Sequence, residues 1–475
     1  MASALQRRVA LIAGRVAGEA TRRLGRGGGT ALPGLVAGRL APDLVEALGR
    51  LAEHGAVTVT GTNGKTTTTH LLAAIAREAG METLTNRSGS NLERGLVTTY
   101  VDAAGRDGVA DGRGHLGLFE VDEAALPPLF PRLRPRVAVF LNLFRDQLDR
   151  YGEIDSVAEG WAAMIAAADW APALVLNADD PSVALLAEGA RGPVVTFGID
   201  DEAAALPEAE HASDARFCVC GSRFQHARVF MGHVGHWRCP DCGRRRPRPD
   251  VAATRVLLGV DGSEVDVRIG EGAHALTVPT AGLYSVSNAL AALATAVALG
   301  VPGDAAVRAV QQSGPAFGRQ ERFQVGGRRV RVWLAKNPAG LNEIVRALLA
   351  SRGGSGEGEG REAPDLSLLA MLNDGIQDGQ DVSWIYDADL ERLEGRVASL
   401  VCAGDRAEDL ALRLAVAGIE ADVVERGTEV ALDAALERTK AGEVLDIVAT
   451  YTAMLEVRDL VAARAGQGAY WEVAP

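Results

Sequence analysis

Val57-Thr58-Val59-Thr60-Gly61-Thr62-Asn63-Gly64-Lys65-Thr66-Thr67 decides the fold class of this chain. Its first four residues are β-branched, the composition of a buried strand. Two glycines follow, and Leu71, Leu72, Ile75 and Ala79 recur behind them at helical spacing. A strand that turns through glycine into a helix lets backbone N–H groups converge on phosphate oxygens, and the helix N-terminus adds a favourable dipole. In such a loop Lys65 reaches the terminal phosphates and the Thr66 hydroxyl ligates Mg²⁺. Gly61, Thr62, Asn63, Gly64, Lys65, Thr66 and Thr67 are the expected nucleotide-binding residues. The general phosphate-loop pattern has glycine where this chain has Val59, so the loop is a variant.

Outward from the loop, from Ala56 to about Gly314, short β-rich runs alternate with helix-length segments: Leu116–Val121, Val137–Leu141, Leu174–Leu176 and Val194–Phe197. That alternation predicts a parallel α/β sheet. Residues 214–250 interrupt it with Cys218, Cys220, Cys239 and Cys242, and a strand-rich stretch (256–278) and an alanine-rich helix (Ser287–Leu299) follow. A second α/β unit begins near Phe317, with strands at Val330–Leu334, Leu366–Leu372, Val397–Cys402 and Val444–Val448. Ser351–Ala363, rich in Gly, Ser, Glu and Arg, reads as a surface loop. The expected division is an N-terminal helical segment (1–50), a central nucleotide-binding domain (51–314) carrying the cysteine insert, and a C-terminal Rossmann-like α/β domain (315–475).

Acidic residues (62) outnumber basic ones (49), a balance that argues against a general nucleic-acid binder. Only Lys65, Lys336 and Lys440 are lysines, so two of the three fall inside motifs where a compact ammonium can meet phosphate or carboxylate. Residues 5–24 set Leu5, Val9, Ile12, Val16 and Leu24 at helical spacing among Arg7, Arg8, Arg15, Arg22, Arg23 and Arg26, with Glu19 the one acid. Such a helix either docks on its own domain or lies on a membrane surface. No apolar run reaches the roughly 18–20 residues that span a bilayer. Four clustered cysteines point to metal in a reducing cytosol, with thiolate pairs in tight turns as in a structural zinc ribbon. The first pair, Cys-x-Cys, is one residue shorter than the usual knuckle. His211, His226, His233 and His236 are the substitutes if one sulfur fails to reach. Cys402, at a strand end, reads as a buried structural cysteine.

Gly-Thr-Asn-Gly-Lys-Thr-Thr resembles the nucleotide loop of the Mur ligases, and further motifs follow in matching order. Leu118-Phe-Glu120-Val-Asp-Glu123 resembles the strand end whose glutamate binds Mg²⁺, and Asn142-Leu-Phe-Arg-Asp146-Gln147-Leu-Asp149 the next ligase segment. Leu176-Asn177-Ala-Asp179-Asp180-Pro resembles the strand end after it. Ser285-Val-Ser-Asn288 resembles the helix with an adenine-contacting asparagine, and Gly318-Arg319-Gln-Glu321-Arg322 the segment whose arginine contacts ATP phosphates. The cysteine insert, Leu334-Ala-Lys336-Asn337-Pro338-Ala-Gly340-Leu-Asn342 and Asn373-Asp374-Gly-Ile-Gln-Asp378-Gly-Gln-Asp381 narrow the resemblance to the MurT branch. These are the synthetase subunits of lipid II isoglutaminyl synthase.

That resemblance implies ATP, Mg²⁺ and Zn²⁺ as cofactors and a GatD-like glutaminase as partner in a heterodimer, acting on lipid II at the inner membrane face. It implies ATP-dependent activation of the α-carboxylate of D-glutamate in the stem peptide as an acyl phosphate. Ammonia from the partner then leaves D-isoglutamine. Lys336 is expected near the γ-phosphate or the substrate carboxylate. From the residues alone Asp374, Asp378 and Asp381 are equal candidates for an acid that completes the partner's Cys-His pair, and only the resemblance singles out Asp381. Gln147 stands where many Mur ligases have a metal-binding histidine. With no lysine between 65 and 336, a carbamoyl-lysine bridge in the central domain is excluded, so a second Mg²⁺ is either absent or held by water and carboxylates such as Asp146. Two other functions fit the same motifs: a self-contained ligase that adds an amino acid, and an ATP-binding zinc scaffold without catalysis.

Overall fold

The computed structural model describes residues 2–23, 32–86, 90–145, 154–206, 214–215, 217–259, 262–314, 320–350 and 365–467. Arg319, Asp146, Gln147, Asp149, His211, Leu24, Arg26 and the 351–363 segment lie outside them.

Two sheets organise the chain. The first has nine strands in the order Gly272–Val278, Ser263–Ile269, Val251–Leu258, Val194–Ile199, Ala173–Asn177, Val137–Phe140, Ala56–Thr60, His115–Glu120 and Glu82–Thr85. Its six strands from Val194–Ile199 to Glu82–Thr85 pair in parallel, and Val251–Leu258 joins them in parallel before two antiparallel strands close that edge. Ala56–Thr60 is buried along its whole length, as its unbroken β-branched run requires. Chain order reverses at this strand, since the next strands in sequence lie on one side of it and Val137–Phe140 on the other. A crevice opens at such a switch point, beyond the carboxyl ends of the strands.

The helix Leu283–Leu299 covers one face of this sheet, packed against the helix Lys65–Glu78. Its alanines let it approach closely, and it begins four residues earlier than the alanine-rich run implies, capped by Gly282. The other face is covered by helices Ala4–Arg23, Leu32–Leu40 and Leu44–Gly49. Their Ala10, Leu11, Ala37, Leu44 and Leu48 share one apolar cluster with Phe119, Phe140 and Trp161.

The second sheet runs Glu321–Val325, Arg328–Leu334, Val444–Ala449, Leu366–Met371, Val397–Ala403 and Val423–Glu425, parallel except for its first hairpin. Buried Arg331 and Asp446 pair at 2.6 Å across it, with Trp333 Nε1 donating to the same carboxylate at 2.9 Å, so the charges are compensated. The expected strands all form. Glu82–Thr85, Glu321–Val325 and Val423–Glu425, edge strands too short or too polar to stand out in sequence, complete the sheets.

Candidate functional site

Gly64 caps the helix Lys65–Glu78 with φ +94°, a backbone conformation open to glycine. A Cβ there would lie 2.0 Å from Asn288 Oδ1, so the absence of a side chain lets Asn288 close on the loop. Asn142, just past the neighbouring strand, clamps the loop from the other side: its Oδ1 accepts from Asn63 N (2.9 Å) and its Nδ2 donates to Asn63 O (3.0 Å). The Thr62 hydroxyl exchanges hydrogen bonds with the backbone of Phe144. The loop is thus held with its N–H groups preorganised before any ligand arrives.

Lys65 Nζ donates to Gly61 O at 2.6 Å and meets Glu123 Oε2 at 3.0 Å, with both side chains about nine-tenths buried. Thr66 Oγ1 lies 3.1 Å from Glu120 Oε2. Glu120 ends its strand buried, with its backbone pinned on both sides by the Asn86 side chain (2.9 and 3.0 Å). A hydroxyl and a carboxylate side by side at the mouth of a phosphate loop are the oxygen donors that suit Mg²⁺. Asn86, Glu123 and Asn142 were not singled out by sequence reasoning. Glu123 and Asn142 carried a signal, as the last acid of one motif and the first residue of the next, and Asn86 carried none.

A cleft opens beside the loop. Asn63, Gly64, Thr67 and Asn288 line it from the first sheet's side, and Trp333, Lys336, Gly340 and Glu343 from the second's. Lys336 and the phosphate loop, 271 residues apart in sequence, therefore line one cleft from two sides. Asn337 makes the closest link: its Nδ2 donates to Asn63 Oδ1 at 3.0 Å while its Oδ1 accepts from Gly340 N at 2.8 Å.

The cysteine insert contributes to the same cleft. Cys218 and Cys242 sulfurs lie 3.6 Å apart, Cys220 and Cys239 sulfurs 3.5 Å, and all four fall within 4.8 Å of one another. Metal–sulfur bonds of about 2.3 Å at tetrahedral angles place sulfurs about 3.8 Å apart, so the set fits a tetrathiolate ion. The short Cys-x-Cys pair closes because Gly221, at φ +87°, turns the chain after it. Three of the histidines are engaged elsewhere: His226 Nε2 with His233 O (3.0 Å), His236 Nε2 with Ile199 O (2.9 Å), and His233 beside buried Asp180. Backbone and guanidinium donors from Arg244 lower the Cys242 thiol to about 6, favouring the thiolate, while burial pushes the Cys218 thiol up to about 12. Arg246 rivets the insert to Asp179 (2.6 Å), and Trp237 Nε1 donates to Ala178 O (2.9 Å). The insert's hairpin, Gln225–Met231 with Val234–Arg238, sends Met231 into the cleft wall. There Met231 and Val234 cluster with Phe144 and Ala339.

The second sheet's acidic loop sorts its three candidates. Asp374 pairs with Arg406 at 3.1 Å. Asp378 is buried and accepts from Thr452 N (2.7 Å) and its hydroxyl (2.5 Å), tying the loop to the helix Tyr451–Arg464. Asp381 is exposed, does not line the cleft, and is held below the usual carboxylate range by Ser383, whose N–H donates to Oδ1 at 2.9 Å. Cys402 is fully buried and its thiol is pushed up to about 12 by desolvation.

The fold and the cleft define an ATP-dependent ligase of the Mur class. Residues 59–237 match the family model of the Mur ligase middle domain and residues 334–454 that of the MurT ligase C-terminal region. The structure is similar to a pseudomurein peptide ligase type C from Methanothermus fervidus (TM-score 0.63, 21% identity, 88% of this chain and 80% of that one). It is also similar to the MurF ligase of Thermotoga maritima solved with ADP (TM-score 0.62, 15% identity, 91% and 84%). The chain is 32% identical to the lipid II isoglutaminyl synthase (glutamine-hydrolyzing) subunit MurT of Streptococcus pneumoniae, over 97% of this chain and 98% of that protein. To the subunit of the same name in Staphylococcus aureus (strain COL) it is 30% identical over 86% and 88%. The chain belongs to the MurT family. Membership implies ATP and Mg²⁺, and a companion subunit. Among the described residues no helix is long and apolar enough to cross a membrane.

Proposed function

We propose that this chain is the synthetase subunit that amidates the D-glutamate α-carboxylate of lipid II, with a GatD-like glutaminase supplying ammonia. The observation that carries the reading is the shared cleft, in which Lys336 and the Asn337 turn face a phosphate loop with Glu120 and Thr66 at its mouth.

In this reading Gly61 to Thr67 hold the ATP phosphates, Asn288 faces the adenine and Arg319 contacts phosphate. Thr66 and Glu120 hold Mg²⁺, which when bound neutralises charge on the phosphate oxygens. Lys65 exchanges Glu123 for the terminal phosphate, and Lys336 orients the substrate carboxylate. A carboxylate oxygen attacks the γ-phosphorus, the bond to ADP breaks, and an acyl phosphate results. Ammonia then attacks the acyl carbon and phosphate leaves, giving the amide.

Cys218, Cys220, Cys239 and Cys242 hold a structural Zn²⁺. None of the five cysteines is then a glutaminase nucleophile, because the remaining one, Cys402, is buried and protonated. This supports a separate ammonia source, and Asp381, exposed and ionised, is the acid offered to that partner's Cys-His pair. The domain limits proposed are 1–50, 51–314 and 315–475.

The test is mass spectrometry of lipid II incubated with this chain, its glutaminase partner, ATP, Mg²⁺ and glutamine. The expected product carries an amide in place of one carboxylate. A product lengthened by an amino acid would establish a self-contained ligase, and ATP binding with unaltered lipid II would establish a scaffold.

A further inference from the structure

The helix Ala4–Arg23 is amphipathic, and the face it buries, apart from Leu11, is built of small residues and lies opposite the one that carries its other four large aliphatic residues. Ala10, Leu11, Gly14 and Gly18 are buried. Leu5, Val9, Ile12 and Val16, spaced along one face, are 72, 53, 39 and 61% exposed. The small face permits close packing: a Cβ on Gly14 would lie 2.8 Å from Pro33 O and 3.1 Å from Ala37 Cβ. Leaving an aliphatic stripe in water on a helix that is otherwise docked marks a surface with another use.

The charge around the stripe names the occupant. Ala4–Arg23 carries five arginines and one acid in a chain of net charge −13. Arg7 is taken by Asp43 at 2.9 Å. Arg8 and Arg15 run along one flank of the stripe, seven residues apart; Arg8 Nε donates to Asp107 O at 3.2 Å with its side chain half exposed, Arg15 donates to Ala104 O and lies 3.9 Å from Glu19, and Arg22 falls at the next such step in the sequence. Aliphatic side chains that enter the acyl boundary, with long cationic side chains reaching back to anionic headgroups, make up an interfacial helix lying in the plane of a bilayer. The helix runs antiparallel to Glu93–Ala103, with Arg8 by Asp107 and Gly14 by Val101. Its C-terminal end is thereby directed toward the carboxyl ends of the parallel strands, the side of the sheet on which the phosphate loop lies.

We infer that the Leu5-Val9-Ile12-Val16 face, flanked by Arg8 and Arg15, docks the protein on an anionic lipid bilayer. The inference rests on the proposed lipid-linked substrate for its purpose only, and its test contains no such substrate, so either can fail alone.

The full chain is sedimented with vesicles of phosphatidylglycerol mixed with phosphatidylcholine, or of phosphatidylcholine alone. Binding to the anionic vesicles, weakened by salt and absent from the neutral ones, is expected. Val9→Asp with Val16→Asp removes it, and Arg8→Gln weakens it about fivefold, the effect of one charge at such a surface. Both variants keep wild-type circular dichroism and ATP binding, since Val9 and Val16 face solvent and Arg8 gives up only exposed contacts to Asp107. Equal binding by the double variant, or none to either vesicle by the wild type, overturns the proposal. So does a wild-type dimer in analytical ultracentrifugation that the double variant dissolves, or a double variant that no longer associates with its companion subunit. Those two results would assign the face to a protein.

Discussion

Glu120 ends a parallel strand of the first sheet, Asp381 lies in the loop after a parallel strand of the second, and the fold treats them in opposite ways. Glu120 is buried, its backbone pinned by Asn86 and its carboxylate 3.1 Å from the Thr66 hydroxyl. Asp381 stands in solvent, oriented by the Ser383 N–H, and is not among the residues that line the cleft. A carboxylate that must hold a cation is worth most where water is excluded. One that must complete another chain's site has to remain exposed until that chain arrives. The comparison teaches that the fold buries one acid beside its phosphate loop and leaves the other in solvent, the placements that the two proposed roles require.

The largest effect separates the two acids. Glu120→Gln keeps the shape and removes the charge, and we expect amidation to fall about 10³-fold, equally with glutamine or with ammonium as nitrogen source. Steady-state rates with each source measure it, and a loss confined to glutamine would break the contrast. Asp381→Asn should show that confined pattern: glutamine-driven amidation falls about 10³-fold, as when a triad acid is neutralised, while the rate with high ammonium stays at wild type. Equal losses would remove Asp381 from the partner's site. The smallest effect concerns the cleft wall that the cysteine insert builds. Cys239→Ser should lower bound metal in elemental analysis and loosen the Met231 contact. Loss of about 1 kcal/mol of apolar burial weakens nucleotide binding about fivefold by calorimetry. Unchanged nucleotide affinity in a metal-free variant would mean that the hairpin holds its place without the ion.

How much of this was legible in sequence followed from how local each determinant is. The phosphate loop is one contiguous run whose strand, glycines and helix obey short-range rules, so its placement needed no tertiary information. The cysteine set was legible by composition, but whether the short first pair could reach was a matter of turn geometry at Gly221. The acids at 374, 378 and 381 were indistinguishable, because what separates them are Arg406 and Thr452, distant in sequence. The helix Ala4–Arg23 was legible as amphipathic, yet its larger apolar stripe is the exposed one. Periodicity locates the faces of a helix, and the close approach that Gly14 allows chose between them.

Residue order by itself determined the parallel strands, the nucleotide loop and the family motifs, since each depends on neighbours within a few residues. Tertiary structure alone decided that Lys336 and Asn337 meet Asn63, that Met231 of the cysteine hairpin walls the same cleft, and that Asp381 is the acid left in solvent. Those facts join segments up to 274 residues apart, and only the packing of the two sheets and the insert against one another brings such segments within contact distance.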